Sequence, residues 1–119
     1  RAMTRNPDRY AGGDEQVVAG DVDEPKTLDP ALAGVDVAIY LIHALDHPDF
    51  ERRDAEAARA FGAAAARAGV RQIVYLGGLG ADDDELSPHL RSRREVEQIL
   101  GSLDSLEHIV WLPYLHPQR

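Results

Sequence analysis

The run Arg71-Gln72-Ile73-Val74-Tyr75-Leu76-Gly77-Gly78-Leu79-Gly80 constrains this chain most, because a short apolar segment halts abruptly on glycines. Such a run reads as a strand buried on both faces, and glycines at its carboxyl end let a ligand approach the backbone closely. Ligands of open α/β sheets bind at that end. The same strand-then-turn grammar recurs in Gln16-Val17-Val18-Ala19-Gly20-Asp21 and Asp36-Val37-Ala38-Ile39-Tyr40-Leu41-Ile42-His43, with helical patterns between. The chain therefore reads as consecutive βα units that hold a nucleotide.

The other elements follow from local signals. Arg1 to Pro7 reads as the end of a strand running into a turn, and Asn6 to Glu15, rich in Gly, Asp and Pro, as a loop. Both ends of the chain read as cut, since a doubly wound sheet would place at least one strand and one helix before Arg1. Pro25 opens a helix over Lys26 to Ala33 that Gly34 ends as a left-handed cap. The continuous apolar character of Asp36 to Ile42 predicts a central strand buried on both faces. A long helix from Pro48 to Ala68 carries Phe50, Ala57, Phe61, Ala64 and Ala68 on one stripe, with Asp49 as its cap and Gly69 as its stop. Its charges, including Glu51, Arg52, Asp54 and Glu56, read as a solvated face without chemistry. Ser87 and Pro88 open a helix that runs to Leu100 and stops at Gly101, and Glu107 to Leu112 reads as a further strand. The acidic run Asp82 to Glu85 lacks the alternating spacing of a calcium loop and reads as solvated.

At 119 residues the chain is one domain at most and reads as a partial domain over 1–119, and its 44% apolar content is ordinary for a globular protein. A net charge of −8 without a basic patch argues against nucleic-acid and anionic-membrane partners, whose phosphates require a basic face. With no cysteine, disulfides and thiolate chemistry are excluded. No apolar run approaches the ~20 residues of a membrane span and no signal-peptide pattern opens the chain, so a cytoplasmic protein is the default expectation.

In the helix from Pro88, the inward stripe of Val96, Ile99 and Leu100 extends back through Ser92, Arg93 and His89. An arginine on such a face either pairs with a carboxylate or meets a ligand's hydroxyls or phosphates. His89 is open to a structural or a catalytic role. His43, Asp46 and His47 could be taken as metal ligands, but they lie in a loop beside a helix start, and no metal is expected.

The segments Gly20-Asp21-Val22-Asp23, Ala31 to His43 and Ala68 to Leu79, in that order, resemble the atypical short-chain dehydrogenase/reductase family, in particular its NmrA-like, NAD(P)H-binding members. The resemblance covers Arg1 to about Leu100. It implies an α/β, Rossmann-like three-layer fold with a parallel sheet, truncated because the family's glycine-rich turn would lie upstream of Arg1. It also implies NADP as cofactor, with NAD as an option, and a small-molecule substrate that remains unspecified. Arg5 would end the family's second strand and meet the 2′-phosphate, although spacing alone equally allows a surface turn. Asp21 and Val22 would flank the adenine, with Asp21 as a plain turn residue the alternative. Leu41, Ile42 and His43 would flank ribose and pyrophosphate, Gly77 would admit the cofactor to the backbone, and Arg93 would hold ribose hydroxyls.

Two departures from the family pattern bear on activity. Active members resembling this chain carry a Ser near the end of the fifth strand and a Tyr-x-x-x-Lys pair on the next helix; Gly77-Gly78 and His89-Leu90-Arg91-Ser92-Arg93 stand in those places. Arg93 can lend charge but not readily a proton, which leaves His89 as the candidate acid. The resemblance implies an NAD(P)-binding protein of this class with two open hypotheses: an NADPH-dependent reductase of a small carbonyl or quinone, and a non-catalytic dinucleotide-sensing or scaffolding module, which the absent Ser and Tyr-x-x-x-Lys favour.

Overall fold

The structure is a computed structural model that describes residues 1–44, 47–77, 87–102 and 108–113. Five strands are described, all in parallel pairings. Strand β1 (Ala2–Thr4) pairs with β2 (Val17–Ala19), with Met3 opposite Val18. Strands β3 (Val37–Tyr40), β4 (Gln72–Gly77) and β5 (His108–Pro113) form a second sheet in that order, with Tyr40 opposite Tyr75 and Tyr75 opposite Trp111. The doubly wound order 3-2-1-4-5-6 has these two sheets as its flanks, and no described strand fills the position between β1 and β3. The Rossmann-like parallel architecture expected from the sequence is therefore present.

Between β2 and β3 the chain makes a 3-10 turn, Pro25–Thr27, and a short helix α1 (Leu28–Leu32). The helix expected over 26–33 is shorter because Pro30 has no N–H to offer the carbonyl of Lys26. Gly34 follows with φ of 75°, the left-handed conformation anticipated for it. Asn6 to Glu15 is irregular apart from a 3-10 turn at Pro7–Arg9.

Helix α2 (Phe50–Ala68) joins β3 to β4, and helix α3 (Pro88–Gly101) lies between β4 and β5. Ala57, Ala58, Ala64 and Ala65 are buried, and their small side chains let α2 lie close to its neighbours. Gly69 ends α2 at φ of 77°, where its N–H reaches the carbonyls of Ala65 and Ala66. Ser87 caps α3, its hydroxyl accepting from the Leu90 amide at 3.3 Å. Asp49 stands at the N-cap of α2 but makes no capping bond; its carboxylate instead pairs with Arg52 at 3.2 Å.

A single apolar cluster joins all three helices to the second sheet. It includes Leu28 and Leu32 of α1, Tyr40 of β3, Phe61 of α2, Ile73 and Tyr75 of β4, and Val96 and Leu100 of α3. Burying a large side chain of this kind contributes about 1.5–3 kcal/mol. Strand β3 departs from expectation here. Ala38 and Tyr40 face the cluster, whereas Val37 and Ile39 are 48% and 67% exposed. The helices all pack on one face, so the described residues leave the other face of β3 uncovered and its burial is one-sided. No described helix is long and apolar enough to cross a membrane. Asp46, Gly78 and the acidic run 82–85 lie outside the described residues.

Candidate functional site

A cavity of about 570 Å³ opens at the carboxyl ends of β1, β2 and β3. The topology explains its place: parallel strands deliver every βα turn to one edge of the sheet. The turn after β1 contributes Thr4 and Arg5, that after β2 Gly20 to Asp23, and that after β3 Leu41 to Ala44. His47, Arg53, Asp54 and Ala57 close it from the side of α2. A cleft of this volume suits a small organic molecule or part of a larger one. Arg5, Asp21, Val22, Leu41, Ile42 and His43, which the sequence nominated from separate segments, all line it.

The wall after β2 is held by side-chain bonds. The Thr27 hydroxyl accepts from the Asp21 amide at 2.8 Å, and the Asp21 carboxylate accepts from the Asp23 amide at 2.9 Å. Asp21 thus serves as a turn residue while also lining the cavity. Arg5, Arg53, Asp21, Asp23 and Asp54 all line the cavity, and the Arg53 guanidinium comes within 4.0 Å of the Asp23 carboxylate. The mixture permits recognition of phosphate together with hydroxyl or amino groups.

The expectation that Asp54 belongs to a solvated face is corrected: it is only 7% exposed. One carboxylate oxygen accepts from the Ala44 amide at 2.8 Å and the other from the Ser92 hydroxyl at 3.0 Å. The signal was available in the spacing: Phe50, Asp54, Ala57 and Phe61 fall on one helical stripe. His47, Arg53 and Ala44 were likewise not nominated as cavity residues.

The α3 residues occupy a different place. His89 is exposed and stacks on Phe50, with ring centroids 4.6 Å apart. Arg93 is half-buried, and its backbone carbonyl accepts from the Tyr75 hydroxyl at 3.3 Å. Neither side chain lines the cavity. Burial pushes the Tyr75 hydroxyl up to about 12, against the pull of the Arg93 charge. Gly77 ends β4, in register with Pro113 of β5. The expectation that the inward stripe of α3 includes His89 is corrected: Ser92, Val96 and Leu100 are buried, but the stripe ends before the first turn. Among the described residues no three metal-binding side chains converge, and the His47 ring nitrogen accepts from the Asp49 amide at 3.1 Å.

The sequence has relatives that agree with this geometry. A profile described as NAD(P)H-binding matches residues 1–110. A (4-alkanoyl-5-oxo-2,5-dihydrofuran-3-yl)methyl phosphate reductase of Streptomyces griseus is 34% identical over 101 residues, which cover 82% of this chain and 33% of that protein. A ceramide reductase of Caulobacter vibrioides is 34% identical over 104 residues, covering 85% of this chain and 32% of that protein. This chain therefore spans about a third of the length of these curated relatives. The crystal structure of an NADPH-dependent quinone oxidoreductase of Escherichia coli, complexed with NADPH, is similar at 28% identity and a TM-score of 0.71, covering 94% of this chain and 37% of that one. The cavity at the strand ends, the parallel sheet and the profile match together place the chain in the NAD(P)H-binding family of the atypical short-chain dehydrogenase/reductase class.

Proposed function

We propose that the chain is the nucleotide-binding part of an NmrA-like, NADPH-dependent reductase whose acceptor is a small carbonyl compound or a quinone. One observation carries the reading: Arg5, Asp21, Val22, Leu41, Ile42 and His43 meet in a single cavity at the strand ends. The residues present fit the adenosine end of the cofactor. Val22 and Ile42 offer apolar contact to a flat base, the Asp21 backbone and carboxylate offer polar contact at its edge, and Arg5 offers a fork for the 2′-phosphate. When bound, NADPH supplies the hydride. The three reductases to which the chain is similar support reduction as the reaction class.

The test is titration of NADPH and NADH into the natural full-length protein, followed by NADPH oxidation with a panel of quinones and aldehydes. Tighter binding of NADPH than NADH, with turnover of one acceptor class, is the expected result. A second reading, a dinucleotide-sensing module without catalysis, draws on the stacking of His89 on Phe50 away from the cavity and on the glycines standing in the family's serine position. Cofactor binding without turnover of any acceptor would favour it. Arg93, Gly77 and His89 belong to the site in this proposal only if substitution there changes cofactor affinity or turnover.

A further inference from the structure

We infer that Asp54 is a positioning residue: it fixes the backbone of the segment after β3 as a wall of the cavity. This rests on the dinucleotide reading above and extends it to a residue outside the nominated set. The two carboxylate oxygens are used separately, one by the Ala44 amide at 2.8 Å and the other by the Ser92 hydroxyl at 3.0 Å. The first bond reaches ten residues back, to the end of the stretch Ile42-His43-Ala44 that lines the cavity. The second reaches across to α3 and holds the carboxylate in one rotamer.

Packing alone does not account for Asp54. It lies on the stripe that otherwise carries Phe50, Ala57 and Phe61, where an apolar side chain would fill the same space without the desolvation of a carboxylate. What the carboxylate provides is an acceptor for a loop amide that β-pairing does not satisfy. Ala44 lies beyond the end of β3, so its N–H has no ladder partner, and an unpaired amide would release the segment toward solvent. A wall held in place before the ligand arrives does not have to be ordered by the ligand.

The experiment uses the natural full-length protein and its variants Asp54→Leu, Asp54→Asn and Ser92→Ala, with NADPH titrated by fluorescence and amide exchange read at Ala44. Asp54→Leu, which keeps the volume and loses the acceptor, is expected to weaken NADPH binding by about tenfold or more and to accelerate exchange at Ala44. Asp54→Asn keeps an oxygen for the amide and is expected to restore affinity to within about threefold of wild type. Ser92→Ala leaves the Ala44 bond in place and is expected to bind within about threefold of wild type, with Ala44 still protected. Wild-type affinity in Asp54→Leu, or a loss in Ser92→Ala as large as that in Asp54→Leu, overturns the inference. So does an unprotected Ala44 amide in the wild type, a measurement that holds even if a variant does not fold. A wild type with a protected Ala44 and no affinity for NADPH removes the dinucleotide reading and leaves the positioning role supported on its own.

Discussion

The carboxyl ends of β1, β2 and β3 and the first turns of α3 are both rich in polar side chains, yet among the described residues the cavity is lined from the strand ends and α2 and not from α3. At the strand ends, three turns of distant sequence converge because the parallel topology sends each of them to the same edge. On α3 the polar groups are spent on neighbours. His89 stacks on Phe50, Arg91 meets Glu51 at 2.8 Å, and Ser92 donates to Asp54. The lesson is that polar content does not make a site. Convergence does, and in this fold convergence comes from strand direction, whereas α3 is committed to holding α2.

The largest test of that division is Leu100→Ala. Leu100 is fully buried at the carboxyl end of α3, and its truncation is expected to cost about 2–5 kcal/mol in chemical denaturation. A loss below about 1 kcal/mol would mean that α3 is not anchored by the core and is free to serve the cavity. Next in size is Arg5→Ala, on the cavity side. Losing a charge-assisted contact to the 2′-phosphate is expected to weaken NADPH binding by about 1.5–3 kcal/mol and to leave NADH affinity unchanged, as read by calorimetry. Equal NADPH affinity in variant and wild type would remove Arg5 from the site.

A smaller effect separates the core beneath the two regions from both of them. The Tyr40 hydroxyl is buried without a hydrogen-bond partner among the described residues, so Tyr40→Phe is expected to leave stability unchanged or raise it by about 1 kcal/mol. Burial holds the phenol of Tyr40 above its ordinary range and that of Tyr75 up to about 12. Below pH 10 both states keep these protons, so the groups add no pH dependence there. As pH rises from about 10 through 12 the unfolded chain ionises first, and stability falls. Melting curves across that window should show a shallower decline in Tyr40→Phe than in wild type; an identical decline would assign the alkaline loss to other groups. The smallest effect is expected at His89. His89→Phe preserves a stacking partner for Phe50 and should change stability by less than about 0.5 kcal/mol and NADPH affinity by less than about twofold. A pH-dependent activity lost in that variant, with cofactor affinity retained, would restore His89 as an acid and undo the comparison.

Much of this arrangement was legible in the sequence because it depends on strands and their ends. Apolar runs stopping on Gly20 or Gly77 locate strand ends, and left-handed Gly34 and Gly69 stop helices for a reason that any sequence shows. The six cavity residues at those ends were implied by the family resemblance, and a parallel sheet accounts for their sharing one edge. Asp54 was legible only in part. Its spacing with Phe50, Ala57 and Phe61 puts it on the inward stripe, but what its carboxylate meets there depends on Ala44 and Ser92, ten and thirty-eight residues away. The one-sided burial of β3 was hidden for a related reason: Val37 and Ile39 are apolar, but what covers a sheet face is decided by elements elsewhere in space.

The crevice meets turns of both the β1–β2 pair and the β3–β4–β5 sheet, so a ligand bound there couples to the folding of each. No described ladder joins them. They are tied through α1, by Leu28 and Leu32 in the core, by the Arg1 guanidinium on the carbonyls of Ala31 and Ala33, and by exposed ion pairs such as Arg67 with Asp29. Exposed pairs of that kind contribute about 0–1 kcal/mol. A molecule lodged in the cavity between Arg5 or Asp21 on one side and Ile42 or His43 on the other touches turns that follow β1, β2 and β3 at once. At a concentration of a hundred times its Kd, such a ligand adds about 2.7 kcal/mol to the folded state. The melting temperature of the chain should therefore report occupancy of the crevice.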